Sequence, residues 1–476
     1  MGSDSIFTEY GQISAKFDRA KLIELTVKKD GIQTGPFGTQ LHKEDYVEKG
    51  TPIITVEHLN DNKIIHQDTP YVSDEDKERL SKYELQEGDI VFSRVGSVDR
   101  RALVRKEESG WLFSGRCLRV RVNKKIIDPI YLSYFLGMEG FKSYIRNIAV
   151  GATMPSINTK ILSDVLIYFP KLEQQKQIGN ILFNIDKKIE LNHQINHTLE
   201  QIAQTIFKSW FVDFDPVKAK IAAKAEGRDP ERAAMAAIAG KTETELDQLS
   251  PEQLQQLAAT AALFPDELVE SELGMIPMGW EVIKIGDVVQ TKSGGTPSRK
   301  RSEYYDKGIL NWIKSKELNN SFVIGSEEKI TDIALERSSA KLLPPRSILI
   351  AMYGATVGQI GILAEESTCN QAICALLPCK ELPYPYLYIY FLRNKDNIIQ
   401  KAVGSAQQNI SQVLIRDLKI LLPPIQTTSN FYKGIEPLFE KILSNIIQNS
   451  LLEKTRDSLL PKLLSGEIEL NVGETT

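Results

Sequence analysis

The chain has 476 residues, of which 42% are hydrophobic and 25% charged, and its formal net charge is −4. That length supports two or three packed cores, and the acid excess excludes a protein that grips nucleic acid by bulk electrostatics alone. Cys117, Cys369, Cys374 and Cys379 lack the close pairs of a zinc site and fit reduced, packed thiols better than a disulfide framework. The start, Met1-Gly2-Ser3-Asp4-Ser5, has no signal-peptide pattern, and no apolar run reaches membrane-spanning length. A cytoplasmic protein with no membrane partner is therefore expected.

Residues 20–170 read as a β-rich mixed domain, with short apolar runs such as Pro52-Ile53-Ile54-Thr55-Val56 and Asp89-Ile90-Val91-Phe92 between turn residues. Within it, residues 94–125 carry ten basic side chains against three acids. One helix is predicted near 129–147. After Pro170 the hydrophobic period changes: Ile178, Leu182, Ile185, Ile189, Asn192, Asn196, Leu199, Ala203, Ile206 and Trp210 follow four- and three-residue steps, a heptad seam. Residues 214–275 form a connector with twelve acids and six bases, an alanine-rich helical stretch at 233–239, and a helix start at Ser250-Pro251. Residues 276–424 repeat the β-rich pattern, with a helix near 385–400. Phe431, Ile435, Leu438, Ile442, Asn445, Asn449, Leu452, Leu459 and Leu463 form a second seam, interrupted at Thr455 and Arg456. The expected divisions are 1–170, 171–213, 214–275, 276–424 and 425–476.

The two halves repeat each other at an offset of about 255 residues. Leu85 to Phe92, ending at Gly96, returns as Leu343 to Ile350, ending at Gly354. Pro129 and Tyr134-Phe135-Leu136 return as Pro385 and Tyr390-Phe391-Leu392, and Gly151, Ile157, Asp164 and Pro170 return as Gly404, Ile410, Asp417 and Pro423. So long a period is a whole domain plus a helix, not a solenoid unit. Two related domains can present two similar surfaces to one extended ligand.

Both seams place two asparagines near the middle. If the helices pack antiparallel about their midpoints, Asn192 faces Asn449 and Asn196 faces Asn445, pairing amides that would each cost about 1–3 kcal/mol if buried alone. Ile181, Ile195 and Ile202 widen the first seam, so each helix is expected to touch more than one partner. At roughly 1.5 Å per residue, helices of about 40 residues would span on the order of 60 Å and act as a spacer.

Three further segments complete the pattern: Trp210-Phe211-Val212-Asp213-Phe214-Asp215-Pro216, the run Phe264-Pro265-Asp266-Glu267-Leu268 leading to Gly274-x-Ile276-Pro277-x-Gly279-Trp280, and Leu459-Leu460-Pro461-Lys462-Leu463-Leu464-Ser465-Gly466-Glu467-Ile468. With the tandem architecture, they make the chain resemble the specificity subunit of type I restriction-modification enzymes over nearly its whole length. The resemblance implies an α+β protein in which two β-rich target-recognition domains in tandem are separated by two long antiparallel coiled-coil helices with pseudo-twofold symmetry. It implies that each domain reads one half of a bipartite, asymmetric site in double-stranded DNA and that the helices dock two modification (methyltransferase) subunits. Restriction/translocase subunits would join the full complex. No cofactor is expected on this chain, since S-adenosylmethionine, ATP and Mg belong to the partner subunits.

DNA reading needs amides and hydroxyls for phosphates, and Arg, Lys, Asn or Gln for base edges, with glycine turns allowing close backbone approach. The candidates in the first domain are Gly35, Gly38, Arg94, Ser97, Arg100, Arg101, Thr153, Ser156 and Asn158. Those in the second are Gly294, Gly295, Thr296, Arg299, Lys300, Arg301, Tyr353, Thr356, Gln359, Ser405, Gln407, Gln408 and Asn409.

Catalytic constellations are missing from the sequence. There is no Asn/Asp-Pro-Pro-Tyr/Phe loop, Gly240-Lys241-Thr242 lacks the glycine that a phosphate loop needs at Met235, and His193 and His197 flank Gln194 where a metalloprotease needs Glu. A non-catalytic recognition subunit is the leading reading. The alternatives are a coiled-coil assembly scaffold whose globular domains bind protein, and a self-contained DNA methyltransferase, which the missing loop disfavours.

Overall fold

The structure, a computed structural model, describes residues 5–37, 40–401 and 409–470. Gly38, Ser405, Gln407 and Gln408 among the candidates, and Gly404 of the repeat, lie outside the described residues. The chain divides into two compact units: one comprises the residues up to Glu190 together with those from Ser450 onward, the other Leu191–Asn449. Both long helices, Leu172–Phe211 and Ile425–Ser465, are shared between the units.

In the first unit a four-stranded sheet runs in the order Arg101–Leu103, Ile90–Ser93, Cys117–Val120, Ile32–Thr34. Alternate residues of its central strands point to opposite faces, and each face is buried. Ile90, Phe92, Leu118 and Val120 enter one core, together with Ile178, Leu182, Leu463 and Leu464 from the long helices. Val91, Ala102 and Cys117 enter the other, under a second sheet whose strand Thr51–Ile54 pairs in parallel with Leu112–Phe113. Burial on both faces explains why Ile90–Phe92 reads as an unbroken apolar run rather than an alternating one.

The second unit repeats this plan. Its sheet runs Thr291–Ser293, Ile373–Leu376, Ile348–Ala351, Ile360–Leu363, Ser321–Val323. Ile348 and Ile350 face the core that also holds Phe207, Phe431 and Phe439, while Leu349 and Ala351 face the smaller core beneath Leu310–Ile313. In each unit the first and last strands of the domain pair antiparallel, Asp18–Lys21 with Leu166–Phe169 and Glu281–Lys284 with Lys419–Leu422. Each last strand then reaches proline and turns directly into a long helix. A short hairpin precedes each domain, Ser5–Thr8 with Gly11–Ser14 and Leu268–Ser271 with Gly274–Pro277.

The helix expected over 129–147 is two helices, Pro129–Phe135 and Glu139–Ile148. The break falls at Gly137, where a Cβ would collide with the Arg101 guanidinium, and Met138 takes an extended conformation. The corresponding helix of the second unit, Tyr384–Lys401, is continuous. The aromatic motif also aligns one residue away from its apparent match. Tyr131 and Tyr386 both donate their hydroxyls to the last strand of their domain, at Tyr168 O (3.1 Å) and Leu421 O (2.9 Å), carbonyls at equivalent strand positions.

In the second unit the paired helix segments are antiparallel, with Asn192 bonded to Asn449 and Asn445 to Asn196, each at 2.8 Å. In the first unit, Asp186 accepts from Arg456 Nη1 at 2.8 Å and from the Tyr134 hydroxyl at 2.5 Å. The seam's interruption at Arg456 is thus a polar contact that also ties the domain to both helices. The connector forms helices Asp215–Ala225, Pro230–Ala239, Glu243–Leu246 and Pro251–Ala261, capped by Asp229, Thr242 and Ser250. The motif residues Trp210, Phe211, Phe214, Phe264 and Trp280 meet in one aromatic cluster, with ring centroids 5.2 Å apart for Trp210–Phe264 and 5.9 Å for Phe211–Trp280. All four cysteines are free, and burial pushes the thiols of Cys117, Cys369 and Cys374 up to about 12.

Candidate nucleic-acid interface

The arginines of 94–125 divide into those bound within the fold and those left at the surface. Arg121 chelates Asp89 at 2.8 and 2.7 Å, Arg119 donates to Asp30 O at 2.6 Å from a buried position, and Arg105 pairs with Glu190 at 2.6 Å. These guanidiniums hold loops and the long helix in place. Arg100 and Arg116 are exposed, and among the described residues neither makes an ion pair. Arg94 is partly exposed, donates to Gly115 O at 3.2 Å, and lies 5.9 Å from the centroid of the Phe37 ring. Phe37 is itself 63% exposed, a large apolar ring held at the surface.

Backbone hydrogen bonds gather these residues at one end of the sheet. Arg94 N donates to Arg116 O (2.8 Å), Ile157 N to Arg94 O (2.9 Å), Gly96 N to Pro155 O (2.8 Å), and Ser93 N to Arg100 O (3.0 Å). The hairpin loop 94–100 and the loop 150–158 therefore lie side by side and bring Arg94, Ser97, Arg100, Thr153 and Ser156 together. Arg146 holds Asp99 at 3.0 Å, fastening the hairpin loop to the adjoining helix. Ser156 spends its hydroxyl on Val150 O at 3.1 Å, whereas Thr153 is exposed.

The second unit uses the same frame. Met352 N donates to Ala372 O (2.8 Å), Ile410 N to Met352 O (2.7 Å), and Ala351 N to Gln359 O (2.9 Å). Tyr353, Thr356, Gln359 and Asn409 thus occupy the region equivalent to the first unit's loop pair. Gln359 has its amide oxygen buried with no hydrogen-bond partner among the described residues. Thr296 bonds to Gln371, and Lys300 is exposed without an ion pair among the described residues.

Several candidates make contacts within the fold. Arg101 is 3% exposed and donates to Ser133 O at 2.6 Å and to Asp61 at 3.1 Å; burial pulls its guanidinium below the usual range, against the opposing pull of Asp61. It cannot reach a duplex. Gly35, Gly294 and Gly295 commit their amides to Cys117 O, Ile373 O and Cys369 O. A Cβ on Gly35 would come within 2.2 Å of Ser114 O, and one on Gly294 within 2.1 Å of Asn370 O, so these glycines permit strand packing rather than phosphate approach. Asn158 caps the helix Thr159–Asp164 by accepting from Ile161 N at 2.8 Å, as Ser411 caps its counterpart by accepting from Leu414 N at 3.0 Å. Arg299 is bound to Glu328 at 2.5 Å and lies over Tyr305 and Trp312, and Arg301 donates to the Tyr304 hydroxyl at 3.0 Å. Arg116 and Phe37 were not among the candidates. Arg116 belongs to the basic run, and its exposure could be read from its place beside a glycine turn; no local sequence signal marks Phe37.

The domain model described as the type I restriction modification DNA specificity domain matches residues 37–201 and again 277–453. The specificity subunit of the type I restriction enzyme HindI of Haemophilus influenzae is 34% identical over 425 residues, 86% of this chain and 92% of that protein. The specificity subunit of the MjaIX enzyme of Methanocaldococcus jannaschii is 27% identical over 344 residues, 71% of this chain and 69% of its own length. The crystal structure of a type I restriction-modification S subunit from M. genitalium shares the fold, with a TM-score of 0.60 at 15% identity, covering 96% of this chain and 97% of that one. Two matched domains covering most of the sequence, each on its own long helix, establish that the chain belongs to the type I restriction-modification DNA specificity family.

Proposed function

We propose that this chain is the DNA sequence-specificity subunit of a type I restriction-modification complex, with each domain reading one half of a bipartite, asymmetric site. The observation that carries the reading is the recurrence of one backbone frame in both units, with different polar side chains mounted on it: Arg94, Ser97, Arg100, Thr153 and Ser156 in one, Tyr353, Thr356, Gln359 and Asn409 in the other. A shared frame with divergent side chains is what two readers of two different half-sites require. The exposed apolar residues of the helices, Ile181 in the first unit and Ile202 and Ile447 in the second, fit docking of two modification subunits. Methyl transfer then lies in those subunits, which bind S-adenosylmethionine. Restriction/translocase subunits with ATP and Mg complete the assembly, which works in the cytoplasm.

The test is duplex-DNA binding by the chain reconstituted with its modification subunit across a salt series. A steep fall in affinity with rising salt, together with competition by one bipartite sequence over random duplex, is expected. Salt-independent association, or equal competition by all sequences, would refute it.

A further inference from the structure

Three positions are equivalent in the two domains by their backbone hydrogen bonds, and at all three the side chain changes class. The residue that donates to the neighbouring strand and accepts from the isoleucine of the following loop is Arg94 in one domain and Met352 in the other. The carbonyl that receives the first of these bonds belongs to Arg116 or Ala372, and the residue closing the hairpin is Arg100 or Gln359. One frame thus presents three guanidiniums, the other none. Packing does not demand arginine at these places, since the second domain closes the same frame without it.

Of the three, Arg94 alone is held by a side-chain contact among the described residues. Its Nη1 is fixed on Gly115 O at 3.2 Å and its guanidinium stands against the exposed Phe37 ring, which leaves Nε and Nη2 without a partner among the described residues. A guanidinium whose orientation is fixed and whose remaining edge carries two donors matches the O6/N7 edge of guanine in the major groove. Arg100 and Arg116, exposed and without an ion pair among the described residues, suit phosphates on either side, where a mobile charge suffices. We propose that Arg94 is the specificity-determining residue of the first domain and that it reads a guanine in the first half-site. The inference rests on the reading of this domain as a DNA reader.

The test uses the full chain complexed with its modification subunit, assayed for methylation on a duplex library in which each position of the two half-sites is varied. Arg94→Met installs the second domain's own residue, and Arg94→Lys keeps the charge but removes the fork. Both are expected to lose preference for guanine at one position of the first half-site by on the order of ten- to a hundred-fold, leaving the second half-site unchanged. Arg116→Ala should weaken all sequences alike and reduce the salt slope by about one. If both Arg94 variants weaken every sequence uniformly, or if the preference lost is for another base, the assignment is overturned. Absence of any sequence preference in the unmutated complex would overturn the DNA reading, and this inference with it.

Discussion

Asn192 donates its side-chain amide to Asn449 Oδ1 at 2.8 Å, at a level of the helix pair where both residues are almost fully buried. The same amide reaches Gln448 Oε1 at 2.8 Å, while the oxygen of Asn192 has no hydrogen-bond partner among the described residues. The layer is therefore costly in isolation. Its value lies in register, because a shift of either helix would oppose a buried amide to an apolar side chain.

Replacing Asn449 with Ala should destabilise the chain by about 1–3 kcal/mol, since a donor on Asn192 loses its buried acceptor. Replacing Asn192 and Asn449 together with Leu should recover most of that loss and weaken register control. Denaturant unfolding of the single and double variants measures both. A double variant no more stable than the single ones would contradict this view of the layer.

Asp61 supplies a pH signature. Burial raises its pKa, but the charges of Arg101 and Lys142 outweigh burial and hold the carboxyl below its usual value. With the folded pKa below an unfolded value of about 3.9, Asp61 contributes stability above that pH and loses it as pH falls through the lower folded value. Asp61→Asn should thus be less stable than the natural chain at pH 7, and the gap should close below about pH 4. A gap that persists unchanged at pH 3 would exclude the ion pair as its source.

The seam was legible because a heptad is a local period, and the tandem plan because the apolar strands recur in order. What escaped was set by long-range contact. Arg101 sits in the same basic run as Arg100, yet its partners Asp61 and Ser133 are distant in sequence and only the fold brings them together. Gly35 looks like a phosphate turn until Ser114 O is seen to occupy the space of its missing side chain. Asn158 is readable as a cap, since Asn-Thr-Lys-Ile-Leu is an ordinary helix start, but an exposed asparagine beside a glycine loop fits a base contact equally well. The break at Arg456 looked like a flaw in the seam because Asp186 and Tyr134 lie in other elements.

Register is fixed by polar pairs, among them Asn192 with Asn449, next to Asn445 with Asn196, in the second unit and Asp186 with Arg456 in the first. Inserting four residues after Glu190 alone should break the pairing in one of the two units and destabilise the chain. Inserting four residues after both Glu190 and Asn449, about one turn or 6 Å in each helix, keeps the pairs of both units. The double insertion should lengthen the DNA spacer accepted by the complex by roughly one to two base pairs. Active modification with an unchanged spacer would show that the helices do not set it.

The most direct measurement is a map of methylated bases in cells expressing this chain with its modification subunit, repeated after residues 20–170 are replaced by the matching domain of a relative. The replacement should retain the long helices, so that Glu190, the partner of Arg105, and Arg456 stay in place. One bipartite, asymmetric motif is expected, of which the exchange alters one half and leaves the other. A single undivided motif, or both halves changing together, would contradict two domains that read DNA independently.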